Sequence, residues 1–354
     1  MRAEDPQGGI VCLMSGNFVQ RGAPAVFHKS IRAEAAVRAG ADLVLELPVT
    51  AAVSSAENFA AEGVRILSRF CNRLSFGAET ADHALLLSTA QALLSPLFPE
   101  HLRSYLDQGL SFPAARQAAL EEMGVDAVFL SQPNNILAVE YCKAILAQNS
   151  KLIPAPILRQ GDYHDAAADK ENPSATALRA LMEKENGWLS YVPEAARSCF
   201  SQASVHTLSY GEKAILAKLR TMTDEEFEAL PYGSEGLWRK LMHAARKEAS
   251  LEDIIAATKS KRYTRSRIDR MILCAFLGIT QKMLSTPAPY VRVLALNDKG
   301  REILRQARTV GNFPNIGEKL EDPYQALEDR CDQLYGLFAK EPESVQTYRI
   351  YYEK

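Results

Sequence analysis

The sequence predicts an α/β protein: a parallel sheet with crossover helices in roughly the first 200 residues, followed by a mainly helical region. Three observations predict it. Short unbroken apolar runs at 10–14 (IVCLM) and 43–47 (LVLEL) suit strands buried on both faces. Helix-forming stretches separate these runs from each other and from a third short strand at 73–79 (RLSFGAE), the alternation of βαβ units. Past Trp188 strand-like runs become scarce, and helical patterns dominate from 205 to 284.

The stretch 10–24 (IVCLMSGNFVQRGAP) is the centre of the reading. A buried strand that opens into a small polar loop at its carboxyl end is where open α/β sheets bind ligands. Ser15, Asn17 and Gln20 offer neutral hydrogen-bonding groups, Arg21 offers a fork for an anion, and Gly16 and Gly22 permit close backbone approach. An ordinary strand-to-helix loop fits these residues equally well.

The elements then follow in order. Residues 30–40 have helix-forming composition and end at Gly40, and 55–70 form a helix with Phe59, Val64, Ile66 and Leu67 on one side. Helices are expected at 81–94, 98–108 and 112–122. Residues 126–130 are read as a short strand, 131–135 (SQPNN) as a polar turn into a helix over 135–147, and 152–158 as a further strand. Around 172–179 (NPSATALR) a helix begins with Ser174 as N-cap. Exposed amides there favour a phosphate, although a plain cap is the commoner outcome. The segment 290–296 (YVRVLAL) resembles a strand, 298–300 begins a turn, and 322–339 reads as an amphipathic helix.

Composition bounds the function. A chain of 354 residues suggests two domains, and a boundary is placed near 195–205. Apolar residues at 47% and charged residues at 24% are ordinary for a globular protein, and a net charge of −2 gives no global bias toward nucleic acid. The six cysteines are scattered with no CxxC pair, so they read as free thiols in a reducing compartment. No long apolar span or signal-peptide segment is present, which points to the cytoplasm. No His, Cys or carboxylate cluster at metal-ligand spacing is found, so no protein-bound metal is expected.

The one dense basic run is 259–270 (KSKRYTRSRIDR): Lys259, Lys261, Arg262, Arg265, Arg267 and Arg270 against Asp269. Read as part of a helix whose apolar face is Ile268, Met271, Ile272, Ala275 and Phe276, it would present its charge to solvent. Tyr263 would add a stacking surface for RNA. A solvated charged helix is the plainer alternative.

These residues carry a resemblance. LMSGNFVQRGAPAV, ADLVLELPV with SAENFA, SFGAE, QPNNIL, the Arg159 segment with YHD, SATALR, the 259–270 run and YVRVLALNDKGREIL occur in one order. Together they resemble the bacterial tRNA(Met) cytidine acetate ligase family, over nearly the whole chain. The resemblance implies a Rossmann-like nucleotidyltransferase domain over 1–200 and a mainly helical tRNA-binding domain over 201–354. It implies ATP and acetate as substrates, an acetyl-adenylate intermediate, and acetyl transfer to N4 of the wobble cytidine of elongator tRNA(Met). Mg²⁺ would be held by the ATP phosphates. Family ATP positions carried over to this chain are Gly77, Asn134 and Arg159. Ser15, Gly16, Asn17, Ser174 and Thr176 are further candidates, and the whole set is expected to converge on one nucleotide pocket.

One departure from the family pattern concerns its opening strand and His-x-Gly-His loop. The histidines here are His28, His83, His101, His164, His206 and His243, with no such pair. The first βα unit, including a strand at the sheet centre, is therefore expected to be absent from 1–354, and the catalytic residues stay unassigned. A start codon assigned too far downstream, a shortened chain or a degenerate protein would each leave this pattern, and the intact remaining motifs favour the first. Besides the ligase, two alternatives stand: a non-catalytic RNA-binding remnant and a small-molecule adenylyltransferase.

Overall fold

In the computed structural model the apolar runs become strands where the sequence places them. The structure describes residues 2, 5–159, 175–182, 186–260, 263–344 and 350–353. Among these, the strands are β1 (Val11–Ser15), β2 (Phe18–Val19), β3 (Ala23–Pro24), β4 (Leu43–Leu47), β5 (Arg73–Ala78), β6 (Ile153–Leu158), β7 (Val293–Asn297) and β8 (Tyr351–Glu353). β1 runs parallel to β4, with Val11 opposite Leu43 and Ser15 opposite Leu47. β5 runs parallel to β6, with Gly77 opposite Ile157.

The expected single parallel sheet is divided. One sheet has the order β1-β4-β7-β8, and β5-β6 is a separate pair. β7 adds antiparallel to β4, so the larger sheet is mixed. Between the two parallel pairs lies a cavity of about 1000 Å³. Val11 and Leu13 line one side, Leu74 and Ser75 the other, with Phe59 and Tyr141 also on its wall. The outer edge of β6 is blunted by its own sequence. Ile153 and Arg159 donate their amides toward β5, so the alternate positions Pro154 and Pro156 face outward without an N–H to offer.

Helices cross between the strands. They are α1 (Lys29–Arg38), α2 (Val49–Ala52), α3 (Ala56–Leu67), α4 (His83–Leu94), α5 (Phe98–Asp107), α6 (Phe112–Glu122) and α7 (Pro133–Ala147). Ser55 caps α3, and Val64 and Leu67 of that helix pack with Leu74, Ile145 and the β1 side chains Val11 and Leu13. The strand expected at 126–130 does not form. Val128–Ser131 is a 3₁₀ turn, held by the Asp126 side chain at one end and by the Asn135 amide on Phe129 O.

The later helices are α8 (Ala175–Met182), α9 (Glu194–Arg197), α10 (Leu208–Thr221), α11 (Asp224–Glu228), α12 (Leu237–Lys247), α13 (Leu251–Thr258), α14 (Arg265–Leu277), α15 (Gln281–Ser285), α16 (Asp298–Ala307) and α17 (Pro323–Tyr335). Residues 298–300, expected as a turn, open α16 instead, because the Asn297 side chain caps the Gly300 amide. Residues 201–354 do not form a separate helical unit. β7 and β8 belong to the sheet, and Phe18 of β2 is buried in the helical core, edge-on to Tyr335 and Phe338. The six cysteines are free thiols, and among the described residues no helix is long and apolar enough to cross a membrane.

Candidate nucleotide site and RNA-facing surface

β5 and β6 end level with each other, and Arg159, just beyond β6, donates its amide to Ala78 O at 2.8 Å. A Cβ at Gly77 would come within 3.2 Å of Arg159 Cγ, so the bare glycine leaves room for the arginine to lie over the strand end. Asn134, in the first turn of α7, donates its amide to Glu79 Oε1 at 2.6 Å, and Glu79 Oε2 accepts the Asn135 amide N–H at 2.8 Å. The Glu79 carboxylate thus sits on the start of α7, where the helix dipole favours it. Asn135 is fully buried and structural: it accepts from Thr80 N and donates to Phe129 O. The structure therefore gathers Gly77, Asn134 and Arg159 and adds Glu79. That residue ended the SFGAE turn in the sequence, but its 55-residue reach to Asn134 was illegible there. The cluster offers a guanidinium for a phosphate and an amide–carboxylate pair for ribose or base edges. Ser174 lies outside the described residues, and Thr176 falls in the first turn of α8.

The loop after β1 is committed differently. Asn17, only 3% exposed, accepts Lys29 N–H at 2.9 Å and places its amide against Asp332 Oδ1 at 2.9 Å and His28 Nε2 at 3.1 Å. Lys29 Nζ pairs with Glu46 Oε1 at 3.1 Å and Asp332 Oδ2 at 2.9 Å. Arg32 donates to Ser15 O and Gly16 O, and a Cβ at Gly16 would strike Glu46 Oε1. Residues 15–17 are expected from the sequence to line the nucleotide pocket, but the side chain of Asn17 and the backbone carbonyls of Ser15 and Gly16 are held inside the protein. The physical reason is that residues 18–24 fold back as the β2–β3 hairpin, with Phe18 buried against helices from the far end of the chain. No hydrogen bond or ion pair joins residues 15–17 to Gly77, Asn134 or Arg159 among the described residues.

Burial shapes the charges in this network. It pushes Glu46 up to about 7, with Asp332 and Glu328 adding to the rise against Lys29. It pushes His28 down to about 3, helped by the Lys29 and Arg32 cations and by His206. For Lys29, burial favours loss of the proton, but Asp332 and Glu46 outweigh it and hold the ammonium above its ordinary value. Glu328, on the same helix as Asp332, is tied to Arg292 at 3.0 Å and accepts the Tyr290 hydroxyl at 2.7 Å.

The basic run is not one helix. α13 ends at Thr258 and α14 begins at Arg265. Lys259 is exposed, and Lys261 and Arg262 lie outside the described residues. Arg265 makes a two-pronged pair with Glu252, both contacts at 2.6 Å. Arg267 lies over the Tyr263 ring and donates to Tyr232 O, and Arg270 is packed over Tyr232. Tyr263, expected to offer a stacking face, is 8% exposed, and its hydroxyl donates to Glu235. The Tyr263 ring is turned inward onto Glu235 and Arg267, which no helical periodicity could show.

The carboxyl ends of parallel strands beside a helix start, where Gly77, Arg159 and Asn134 meet, are where open α/β sheets bind ligands, and the comparisons give the class of protein. The model of the HIGH nucleotidyl transferase family matches residues 1–349. The tRNA(Met) cytidine acetate ligase of Clostridium acetobutylicum is 34% identical, the match covering 98% of this chain and 91% of that protein. The Clostridium perfringens protein of the same name is 36% identical over 88% of this chain and 82% of its own. The crystal structure of Thermotoga maritima TmcAL without ligand superposes with a TM-score of 0.89 at 29% identity, covering 99% of this chain and 94% of that one. The same protein bound with alpha-thio ATP gives 0.86. The chain belongs to the tRNA(Met) cytidine acetate ligase family of HIGH nucleotidyl transferases.

Proposed function

We propose that this protein is a cytoplasmic ATP-dependent ligase that activates acetate as acetyl-adenylate and acetylates N4 of the wobble cytidine of elongator tRNA(Met). The observation that carries this reading is the grouping of Gly77, Asn134 and Arg159 at the carboxyl ends of β5 and β6 and the start of α7. The acetate carboxylate attacks the α-phosphorus of ATP and pyrophosphate leaves. The cytidine amine then attacks the acetyl carbon, AMP leaves, and the amine gives up a proton. Arg159 would offset charge on the phosphates during the first step. Gly77 lets the nucleotide approach the backbone, and Asn134, oriented by Glu79, reads a ribose or base edge. Mg²⁺ would ride on the ATP phosphates and their waters. The helical layer, α10 to α14 together with α17, would hold the tRNA.

The test has two readouts: acetate-dependent exchange of pyrophosphate into ATP, and mass-spectrometric detection of N4-acetylcytidine in elongator tRNA(Met). Both are expected. Retention of tRNA with no acetate-dependent exchange would overturn the ligase reading in favour of a non-catalytic RNA binder.

A further inference from the structure

We infer that the phosphate-contacting surface for tRNA is centred on the start of α12 and the end of α13, not on the α14 part of the basic run; the inference rests on the tRNA reading above. α12 carries Arg239, Lys240 and His243 on its exposed side, and Lys259 is exposed just past the end of α13. These groups lie at one place because α12 and α13 pack side by side, and Lys240 Nζ reaches Thr258 O at 3.5 Å. The Arg239 guanidinium rests 4.9 Å from the centre of the half-buried Trp238 ring. No acidic side chain occupies the first turn of α12, so the positive end of its dipole adds to the same field.

What separates this patch from an ordinary solvated helix face is where the carboxylates go. At the other end of α12, Arg246 is paired with Asp224 of the acidic α11. Arg265 is clamped by Glu252, the carboxylate whose field also reaches Lys259, and Arg267 and Arg270 are stacked on tyrosines. Arg239, Lys240 and Lys259 make no ion pair among the described residues. In a chain of net charge −2, cations without an ion-pair partner beside paired ones form a local positive surface that complements a phosphodiester backbone.

The experiment is filter binding of tRNA by the full chain at several salt concentrations. It uses wild type, the triple variant Arg239→Ala/Lys240→Ala/Lys259→Ala, and the single variant Arg265→Ala. Each lost phosphate contact removes about 0.7–0.9 from the salt slope, so the triple variant should bind on the order of tenfold more weakly with a slope shallower by about 2–3. R265A should match wild type, and thermal unfolding should show all three folded alike. A triple variant that follows wild type while wild type retains tRNA would overturn this surface alone. So would R265A showing the larger loss. Wild type that retains no tRNA even at low salt would overturn the tRNA reading beneath it.

Discussion

Lys29 Nζ lies 2.9 Å from Asp332 Oδ2, so a buried ion pair spans 303 positions of sequence and ties the start of α1 to α17. Glu46 closes the group from β4. One cation here serves two largely buried carboxylates, which makes the cation indispensable once the carboxylates are present.

Lys29→Met should therefore destabilise the fold by roughly 3–5 kcal/mol, since it strands buried carboxylates without a counterion. Adding Glu46→Gln to it should recover part of that loss. Urea unfolding of the two variants checks this, and a single variant within about 0.5 kcal/mol of wild type would show that the pair contributes nothing.

Two groups of this network should give opposite pH dependences. Glu46 holds its proton more tightly in the fold, about 7 against an ordinary 4.5. Its stabilising contribution is complete below about pH 4.5 and is lost as pH rises through about 7. Lys29, Asp332 and Glu328 are the charges that face it. His28 is the reverse: held neutral, with its proton affinity lowered from 6.5 to about 3, it contributes fully above pH 6.5 and loses that contribution as pH falls. Between pH 5 and 6.5 the two oppose each other. Glu46→Gln should leave stability rising with pH across that window, and His28→Gln should leave it falling, each by at most about 1.4 kcal/mol per pH unit. Unfolding free energies at pH 5, 6, 7 and 8 give the slopes, and slopes equal to wild type in both variants would refute the assignment.

Arg159→Ala should weaken ATP binding or slow adenylation by roughly 1.5–3 kcal/mol, the size of a charge-assisted contact. The side chain is exposed, so folding should be unaffected. Calorimetric ATP titration together with acetate-dependent pyrophosphate exchange measures both possibilities. Unchanged values in both would remove Arg159 from the site.

Tyr263→Phe should cost about 1 kcal/mol of stability, because the hydroxyl loses its contact with Glu235. It should leave tRNA affinity where it is. A gel-shift titration that moves several-fold while thermal stability stays fixed would restore the ring to the RNA surface.

Much of this molecule is local and was legible as such. Unbroken apolar runs gave β1 and β4, and the alternation of strand and helix patterns placed β5 and β6. The apolar side of 55–70 announced α3 and Gly40 closed α1, because periodicity and caps act over a few residues. Gly77, Asn134 and Arg159 could be named individually only through the family resemblance, which carried its ATP positions over to them. Other features depend on partners that sequence spacing cannot reveal. The 126–130 segment has strand composition but no neighbouring strand, so it turns as 3₁₀ helix.

By itself the sequence determined the family, the α/β alternation and the residues at the strand ends, since those follow from short-range pattern and ordered motifs. Only the tertiary structure decided which polar groups stay available. Asn17 and Tyr263 read as free donors and surfaces until Asp332 and Glu235 arrive from elsewhere in the fold. Arg239 and Lys240 drew no notice in the sequence, and they stand out only because α11 and α13 place their carboxylates on other cations. A buried polar group must find a partner and a charge is set by its neighbours, and both come from chain distant in sequence.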